Sequence, residues 1–194
     1  MEDFSIDLAR TALVLIDLQH GTLGHQLAPY SREQVLGNCV LLSQEMRDRK
    51  STVIFVRVLL DELLPMPVDE PLIKRGNAVP PEASHLVPEA LVEATDVVIT
   101  KRQWGAFYGT ELDQLLRRNH IKTLILAGVQ TNYGVESTAR EAFDRGYELV
   151  FAEDAMSSNA AAHKFACENV FRNMGRVRST RHLLQLMKAG TGEA

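Results

Sequence analysis

The sequence predicts an α/β domain with three layers, in which helices cover both faces of a six-stranded, mostly parallel sheet. Short apolar runs, typical of strands buried on both faces, alternate along the chain with longer stretches of helical periodicity. Strands that alternate with helices pair in parallel, because each crossover helix packs back onto the sheet. The length of 194 residues suits one domain with a sizeable core. We therefore expect residues 1–194 to form a single domain.

The strands and helices can be placed from these patterns. The strands are predicted at residues 11–16, 52–58, 96–100, 124–128, 147–152 and 176–178. The helices are predicted at residues 31–46, 110–120, 159–171 and 181–187, with a further helix after residue 131. Ser31 and Gln34 have the spacing of a capping box at the start of the first helix. Residues 59–94 contain most of the prolines, which predicts a loop or lid with short helical turns.

Composition narrows the function classes. The formal net charge is −4 and no long basic block occurs, so the sequence predicts no nucleic-acid partner. No apolar run has the length of a membrane span, and the first residues are acidic, unlike a signal peptide. Cys39 and Cys167 lie on apolar helical stripes, as buried core thiols do. We expect a cytoplasmic protein that acts on a small molecule and has no membrane partner.

Residues 124–140 organise the chain. An apolar strand ends near Gly128, the chain turns, and a helix follows. Thr131 or Asn132 is predicted to cap that helix, and Glu136 and Arg140 lie one turn apart in the favourable order. A helix N-terminus at the carboxyl end of a parallel sheet is a site for an anion or a polarised carbonyl, although an ordinary strand–helix turn has the same pattern.

Two charged residues also follow strands. Asp17 comes directly after the first strand and Lys101 directly after the third, so both can line one crevice at the carboxyl edge of the sheet. The alternative interpretation of Asp17 is a turn-capping carboxylate, and that of Lys101 is a solvated lysine at the end of a strand. Gln19 either orients a ligand or serves as a loop amide. Trp104 and Phe107 form either an aromatic wall of the pocket or a packing or subunit contact.

Three ordered motifs resemble those of the isochorismatase-like (cysteine) hydrolase superfamily. They are Leu-Ile-Asp-Leu-Gln at 15–19, Thr-Lys-Arg-Gln-Trp-Gly-Ala-Phe at 100–107, and Gly-Val-Gln-Thr-Asn-Tyr-Gly-Val-Glu-Ser-Thr-Ala-Arg at 128–140. The resemblance spans residues from about 11 to about 187 and implies the isochorismatase-like hydrolase fold. It also implies that Asp17 is the catalytic acid or base, that Lys101 is a second catalytic residue, and that Gln130 and Tyr133 contact substrate. The nucleophilic cysteine of the family would fall at position 134, where this chain has Gly134.

Glycine at position 134 closes the route through a thiolate and an acyl intermediate. Family members that hydrolyse isochorismate have a similar arrangement, in which the carboxylic acid protonates a vinyl ether and water captures the cation. The sequence leaves three hypotheses open: a hydrolase of a small carboxylate-type metabolite without a covalent nucleophile, an amidase-type hydrolase whose nucleophile was lost or replaced, and a non-catalytic metabolite-binding protein. Glycine here suits a natural adaptation as well as an engineered replacement.

The resemblance also bears on cofactors and assembly. Metal-dependent nicotinamidases of this superfamily have an Asp-x-His ligand pair and a further histidine in the region that follows the second strand. Asp61 is present here without a histidine at that spacing, and the remaining histidines are scattered. We therefore expect no metal and no other cofactor. Relatives commonly form homodimers or higher homo-oligomers, and we expect the same of this chain.

Overall fold

The computed structural model describes residues 4–72 and 78–189. These residues form a six-stranded parallel sheet in the order β3-β2-β1-β4-β5-β6. The predicted α/β architecture is confirmed. The strands are β1 (Thr11–Ile16), β2 (Thr52–Val58), β3 (Val97–Lys101), β4 (Thr123–Val129), β5 (Glu148–Ser157) and β6 (Gly175–Arg178).

Helices cover both faces of the sheet, which gives the three predicted layers. One apolar cluster joins one face to α2 (Arg32–Asp48) and α6 (Thr180–Ala189), and a second joins the opposite face to α3 (Leu112–Arg118), α4 (Glu136–Asp144) and the turns that begin at Ala166. The helices are α1 (His20–Leu23), α2 (Arg32–Asp48), α3 (Leu112–Arg118), α4 (Glu136–Asp144), α5 (Ala160–Phe165) and α6 (Thr180–Ala189). Ser31 and Gln34 form the predicted capping box at the start of α2. None of the described helices combines the length and hydropathy that crossing a membrane requires.

The central strand β1 explains why the apolar runs are unbroken. Because successive side chains of a strand point to opposite faces, Leu13 and Leu15 pack in the cluster of α2, whereas Val14 and Ile16 pack in the opposite cluster. All four side chains are fully buried. A strand with a helix layer on each face therefore has no solvent-facing position for polar side chains.

Two elements differ from their predicted extent. The predicted helix at 159–171 is regular only through Phe165, and continues as a π-helical turn (Ala166–Val170) and a 3₁₀ turn (Phe171–Asn173). Strand β5 extends past the predicted residue 152 to Ser157. Its pairing with β4 shifts register between Leu126 and Gly128, and this irregularity accommodates the polar residues Glu153 and Asp154, which follow the predicted end of the strand.

The proline-rich segment lies over the loop that follows β1. Its described parts contain the predicted short helical turns, at Leu60–Glu62, Pro81–Ser84 and Pro88–Ala90, and the centre of the predicted loop (73–77) lies outside the described residues. Leu86 forms a bridge with Gln19, and His85 accepts a backbone hydrogen bond from His20. The segment thereby borders the carboxyl edge of the sheet, where Asp17 and Lys101 lie.

Candidate active site

The carboxyl ends of β1, β3 and β4 bring the three predicted catalytic residues together. Asp17 follows β1, Lys101 is the last residue of β3, and Gly134 lies in a π-helical turn (Thr131–Val135) between β4 and α4. Oδ2 of Asp17 lies 2.8 Å from Nζ of Lys101. A Cβ atom added to Gly134 would lie 2.8 Å from that Oδ2 and 3.1 Å from that Nζ.

A cavity of about 720 Å³ opens at this edge of the sheet and contains all three residues in its wall. Trp104, Gln130 and Tyr133, which the sequence singled out, also line it. The rings of Trp104 and Tyr133 meet edge to face with centroids 5.1 Å apart. The volume suits a small-molecule ligand.

The backbone of Asp17 is held in an uncommon conformation. Its φ of +52° lies in the left-handed region, which aspartate tolerates better than most residues but which still costs about 1–3 kcal/mol. The Asp17 N–H donates to the Val56 carbonyl, and the Thr22 hydroxyl donates to the Asp17 carbonyl. Strain of this kind persists where the surroundings fix it, and here it turns the carboxyl group toward Lys101.

Burial controls the protonation of Asp17. The side chain is almost fully buried, and desolvation raises the pKa of its carboxyl group above the ordinary value, while the nearby Lys101 ammonium lowers it. Burial is the larger effect. Oδ2 pairs with Lys101, whereas Oδ1 is buried with no hydrogen-bond partner among the described residues. Oδ1 therefore has no protein group, among the described residues, that would compete for a proton on it.

Lys101 is held on two sides. Its ammonium donates to the Trp104 carbonyl oxygen at 2.5 Å and pairs with Asp17, and the side chain is only 1% exposed. An ammonium has three donors, and these two contacts use two of them. The contact between Asp17 and Lys101 is therefore buried in the free protein.

The side chain of Gln19 holds the backbone of β2 and does not line the cavity. Its Nε2 donates to the Val58 carbonyl at 2.8 Å, and its Oε1 accepts from the Val58 N–H at 2.6 Å. The side chain is fully buried and is absent from the described wall of the cavity. Of the two interpretations of Gln19, the geometry favours the loop amide, because both ends of the amide hold the end of β2 against the loop after β1.

Phe107 differs from expectation in the same way. Its ring is 4% exposed and packs against Tyr147, with centroids 5.9 Å apart and the Arg145 guanidinium 4.8 Å from the ring. It belongs to the apolar cluster of α3 and α4, and only Trp104 of the two predicted aromatic residues lines the cavity. Packing, the alternative interpretation of the sequence, describes Phe107.

The predicted N-cap of the helix after β4 is wrong, because both candidate side chains bond elsewhere. Thr131 Oγ1 lies 2.9 Å from Nδ1 of His163, and Asn132 accepts from the Ser158 hydroxyl. The chain first forms the π-helical turn, and α4 begins only at Glu136. Glu136 and Arg140 then form the expected pair, at 2.8 Å.

His163 is a residue that sequence reasoning missed. It is 2% exposed, and its Nε2 lies 3.2 Å from Oε1 of Glu153, which also accepts from the Tyr30 hydroxyl at 2.7 Å. The hydrogen bond with His163 is the largest cause that lowers the pKa of Glu153, which favours the ionised carboxylate. Through the contact between His163 and Thr131, this network supports the turn that contains Gly134. The only sequence signal was the place of His163 on an apolar helical stripe.

The two cysteines are buried, as the sequence predicted. Burial raises the pKa of the Cys167 thiol to about 12, which leaves it unreactive at neutral pH. Burial raises the pKa of Cys39 as well. Within residues 4–72 and 78–189, no group of three histidine, cysteine or acidic side chains is arranged to hold a metal ion.

Comparison with known proteins identifies the family. Residues 11–182 match the Isochorismatase domain. The chain is 41% identical over 194 residues to the isochorismatase family protein YwoC of Bacillus subtilis (strain 168), covering 97% of this chain and 100% of YwoC. The structure of an isochorismatase family protein from Burkholderia thailandensis superposes with a TM-score of 0.88 at 36% identity, covering 96% of this chain and 100% of that one.

One relative that matches part of this chain is named for its enzymatic activity. Over 81 residues the chain is 42% identical to the ureidoacrylate amidohydrolase RutB of Enterobacter sp. (strain 638), which covers 42% of this chain and 34% of RutB. The domain match spans most of the chain, and the match to YwoC spans nearly all of it. The chain belongs to the isochorismatase family of hydrolases.

Proposed function

We propose that this protein hydrolyses a small carboxylate-type metabolite by acid catalysis from Asp17, without a covalent enzyme intermediate. One observation carries the proposal: the carboxyl group of Asp17, a residue of the cavity wall, has a raised pKa, with one oxygen held by Lys101 and the other buried without a partner among the described residues. General acids need such an environment, because desolvation keeps the proton on the carboxyl group nearer to neutral pH.

Vinyl ether hydrolysis is the reaction that we propose for these groups. The protonated carboxyl group of Asp17 gives its proton to the terminal carbon of the double bond, and the ether oxygen stabilises the cation that forms. A water molecule adds to the cation and returns a proton to Asp17. The hemiketal then breaks its carbon–oxygen bond to release an alcohol and a ketone. An enolpyruvyl ether would give pyruvate in this way.

The surroundings of Gly134 favour this route over a covalent one. The family resemblance implies a cysteine at that position, yet a Cβ there would lie 2.8 Å from Asp17 Oδ2 and 2.9 Å from Cγ2 of Ile16. Contacts this short require neighbouring atoms to move. The closed pair of Asp17 and Lys101 thus uses the space that a nucleophile would need.

An amidase-type activity is the second candidate, and the partial match to RutB favours it. Amide hydrolysis in this cavity would require water as the nucleophile, with Asp17 in its ionised form as the base. That form is the one that burial disfavours at Asp17. We therefore rank this candidate second, and a ligand-binding role without catalysis third.

Pyruvate release from 2-(benzyloxy)acrylate and from isochorismate tests the proposal. Asp17→Asn should lower kcat/KM by about 10²–10⁴-fold, the usual contribution of a general acid. Asp61→Asn is the matched control, since Asp61 is exposed and lies outside the cavity wall. Equal rates for wild type and Asp17→Asn would refute acid catalysis by Asp17. Turnover of amides but not of vinyl ethers would favour the second candidate.

We also propose a homo-oligomer. Large apolar side chains are exposed in the segments that follow β2 and β3, including Met66 (59%), Val68 (56%) and Tyr108 (75%). A subunit contact would remove such side chains from water. Light scattering should give a mass at least twice that of the 21.6 kDa chain, and the mass of one chain would refute the proposal.

A further inference from the structure

We propose that Thr138, a buried residue of α4, is a positioning residue of the candidate active site. Its hydroxyl ties the loop after β3 to the turn that contains Gly134, and this tie fixes Lys101 against Asp17. The consequence for catalysis deepens the proposed function and rests on it. The tie itself consists of contacts that are independent of the reaction.

The hydroxyl of Thr138 has partners on two different segments. It donates to the Gly134 carbonyl oxygen at 2.7 Å and accepts from the Ala106 N–H at 3.2 Å. Threonines in helices commonly donate to the carbonyl four residues earlier, so the first bond alone would be ordinary. The second bond joins α4 to a loop that lies 32 residues away in sequence. Both bonds are buried, so loss of the hydroxyl would leave a costly unsatisfied backbone group.

The loop after β3 lies directly against α4 and the turn before it. A Cβ atom added to Gly105 would collide with Oε1 of Glu141, a residue of α4. At the cavity wall, the rings of Trp104 and Tyr133 join the same loop to the same turn. The loop is thus held at two points, by a polar contact in the interior at Thr138 and by an aromatic contact at the cavity.

The position of this loop decides where Lys101 can donate. Its Nζ donates to the Trp104 carbonyl oxygen at 2.5 Å and lies 2.8 Å from Oδ2 of Asp17. Because only one residue separates Trp104 from Ala106, a bond that fixes the Ala106 N–H also restrains the Trp104 carbonyl group. The hydroxyl of Thr138 therefore holds the acceptor of Lys101 in place, and Lys101 in turn holds the carboxyl group of Asp17.

Loss of the Thr138 hydroxyl should loosen the contact between Lys101 and Asp17. The buried Ala106 N–H would lose its described acceptor, and the loop would move to relieve it. Burial raises the pKa of the Asp17 carboxyl group and Lys101 lowers it, so a looser contact should raise this pKa further. A displacement of about 1 Å in a catalytic group can lower the rate by about 10²-fold, so turnover should fall as well.

Two substitutions of Thr138 separate the hydroxyl from the shape of the side chain. Thr138→Val keeps the shape and removes the hydroxyl, whereas Thr138→Ser keeps the hydroxyl. We expect Thr138→Val to raise the midpoint of Asp17 in carbon-13 NMR. It should lower kcat for 2-(benzyloxy)acrylate by about tenfold or more, with KM changed by less than about twofold. Thr138→Ser should keep the wild-type midpoint and have a kcat within about threefold of wild type.

Thr180→Val is the matched control for a general loss of stability. Thr180 is also buried, its hydroxyl donates to Oδ1 of Asp154 at 2.7 Å, and it is outside the described wall of the cavity. This control should lose stability in urea and keep the Asp17 midpoint. Thr138→Ala repeats the test if Thr138→Val fails to fold. A midpoint that is unchanged or lower in the variant without the hydroxyl, with only its stability reduced, would overturn the positioning role.

The NMR midpoint separates this role from the proposed reaction, because it is measured without turnover. A midpoint raised in Thr138→Val, with no pyruvate released from 2-(benzyloxy)acrylate by the wild type, would support the tie and refute the reaction. Pyruvate release by the wild type, with one midpoint shared by wild type, Thr138→Val and Thr138→Ser, would do the reverse.

Discussion

Asp17 Oδ2 and Lys101 Nζ lie 2.8 Å apart. A Cβ atom added to Gly134 would lie 2.8 Å from this Oδ2 and 3.1 Å from this Nζ. Such an atom would crowd both of these side chains. Glycine at this position and the closed pair are therefore two parts of one arrangement. Changing either should disturb the other.

Gly134→Ala should separate Asp17 from Lys101. Overpacking a buried site costs about 1–3 kcal/mol, and we expect this loss in the free energy of unfolding measured with urea. Gly37→Ala is the control, because Gly37 lies in α2 with no described atom within 4 Å of an added Cβ. That control should gain about 0.5–1 kcal/mol, the ordinary benefit of alanine over glycine in a helix. A Gly134→Ala protein as stable as wild type would contradict the arrangement.

The raised pKa of Asp17 predicts how its protonation and its activity depend on pH. Carbon-13 NMR of the side-chain carboxyl group should give a midpoint above 3.8, the ordinary value. Lys101→Met removes the charge that opposes burial, so the midpoint should rise further. Because the protonated form is the proposed acid, kcat/KM of the wild type should be high below this pKa and fall as pH rises through it. An activity that falls toward acid pH instead would assign Asp17 the role of a base.

Strand-end residues were predictable because the topology fixes them. Asp17 follows β1 and Lys101 ends β3, and only β2 lies between these strands in the sheet. A pattern of buried strands followed by charged residues therefore locates both. Phe107 and Gln19 are close to them in sequence, yet their side chains point into the core and toward Val58. Which way a side chain turns after a strand depends on local backbone geometry that the pattern does not contain.

Other parts of the site could not be read from the sequence at all. Leu72 lines the cavity from a proline-rich loop without helical or strand periodicity, so no pattern marks its neighbours. His163 supports the turn of Gly134 from a helix that lies 32 residues beyond Thr131 in sequence. Only the packing of α5 beside that turn reveals the contact.

His163→Ala should weaken the turn that holds Gly134. It leaves Thr131 and Glu153 without their shared partner, and an unsatisfied buried polar group costs about 1–3 kcal/mol. Urea unfolding at neutral pH measures this loss, with exposed His85→Ala as the control. Folding lowers the pKa of Glu153, so its stabilisation is present above the unfolded value and is lost as pH falls. The gap between wild type and His163→Ala should therefore narrow at acid pH, and a gap independent of pH would contradict the role given to Glu153.

Gln19→Leu separates a structural role from a ligand contact. The variant removes both hydrogen bonds to Val58 and leaves a buried N–H and a buried carbonyl oxygen without partners. At about 1–3 kcal/mol for each group, urea unfolding should report a clear loss of stability. Gln26→Leu, at an exposed position after α1, should change stability by less than about 0.5 kcal/mol. A Gln19→Leu variant with full stability and only a raised KM for 2-(benzyloxy)acrylate would contradict this role. That result would favour the other interpretation of the sequence, in which the amide orients a ligand.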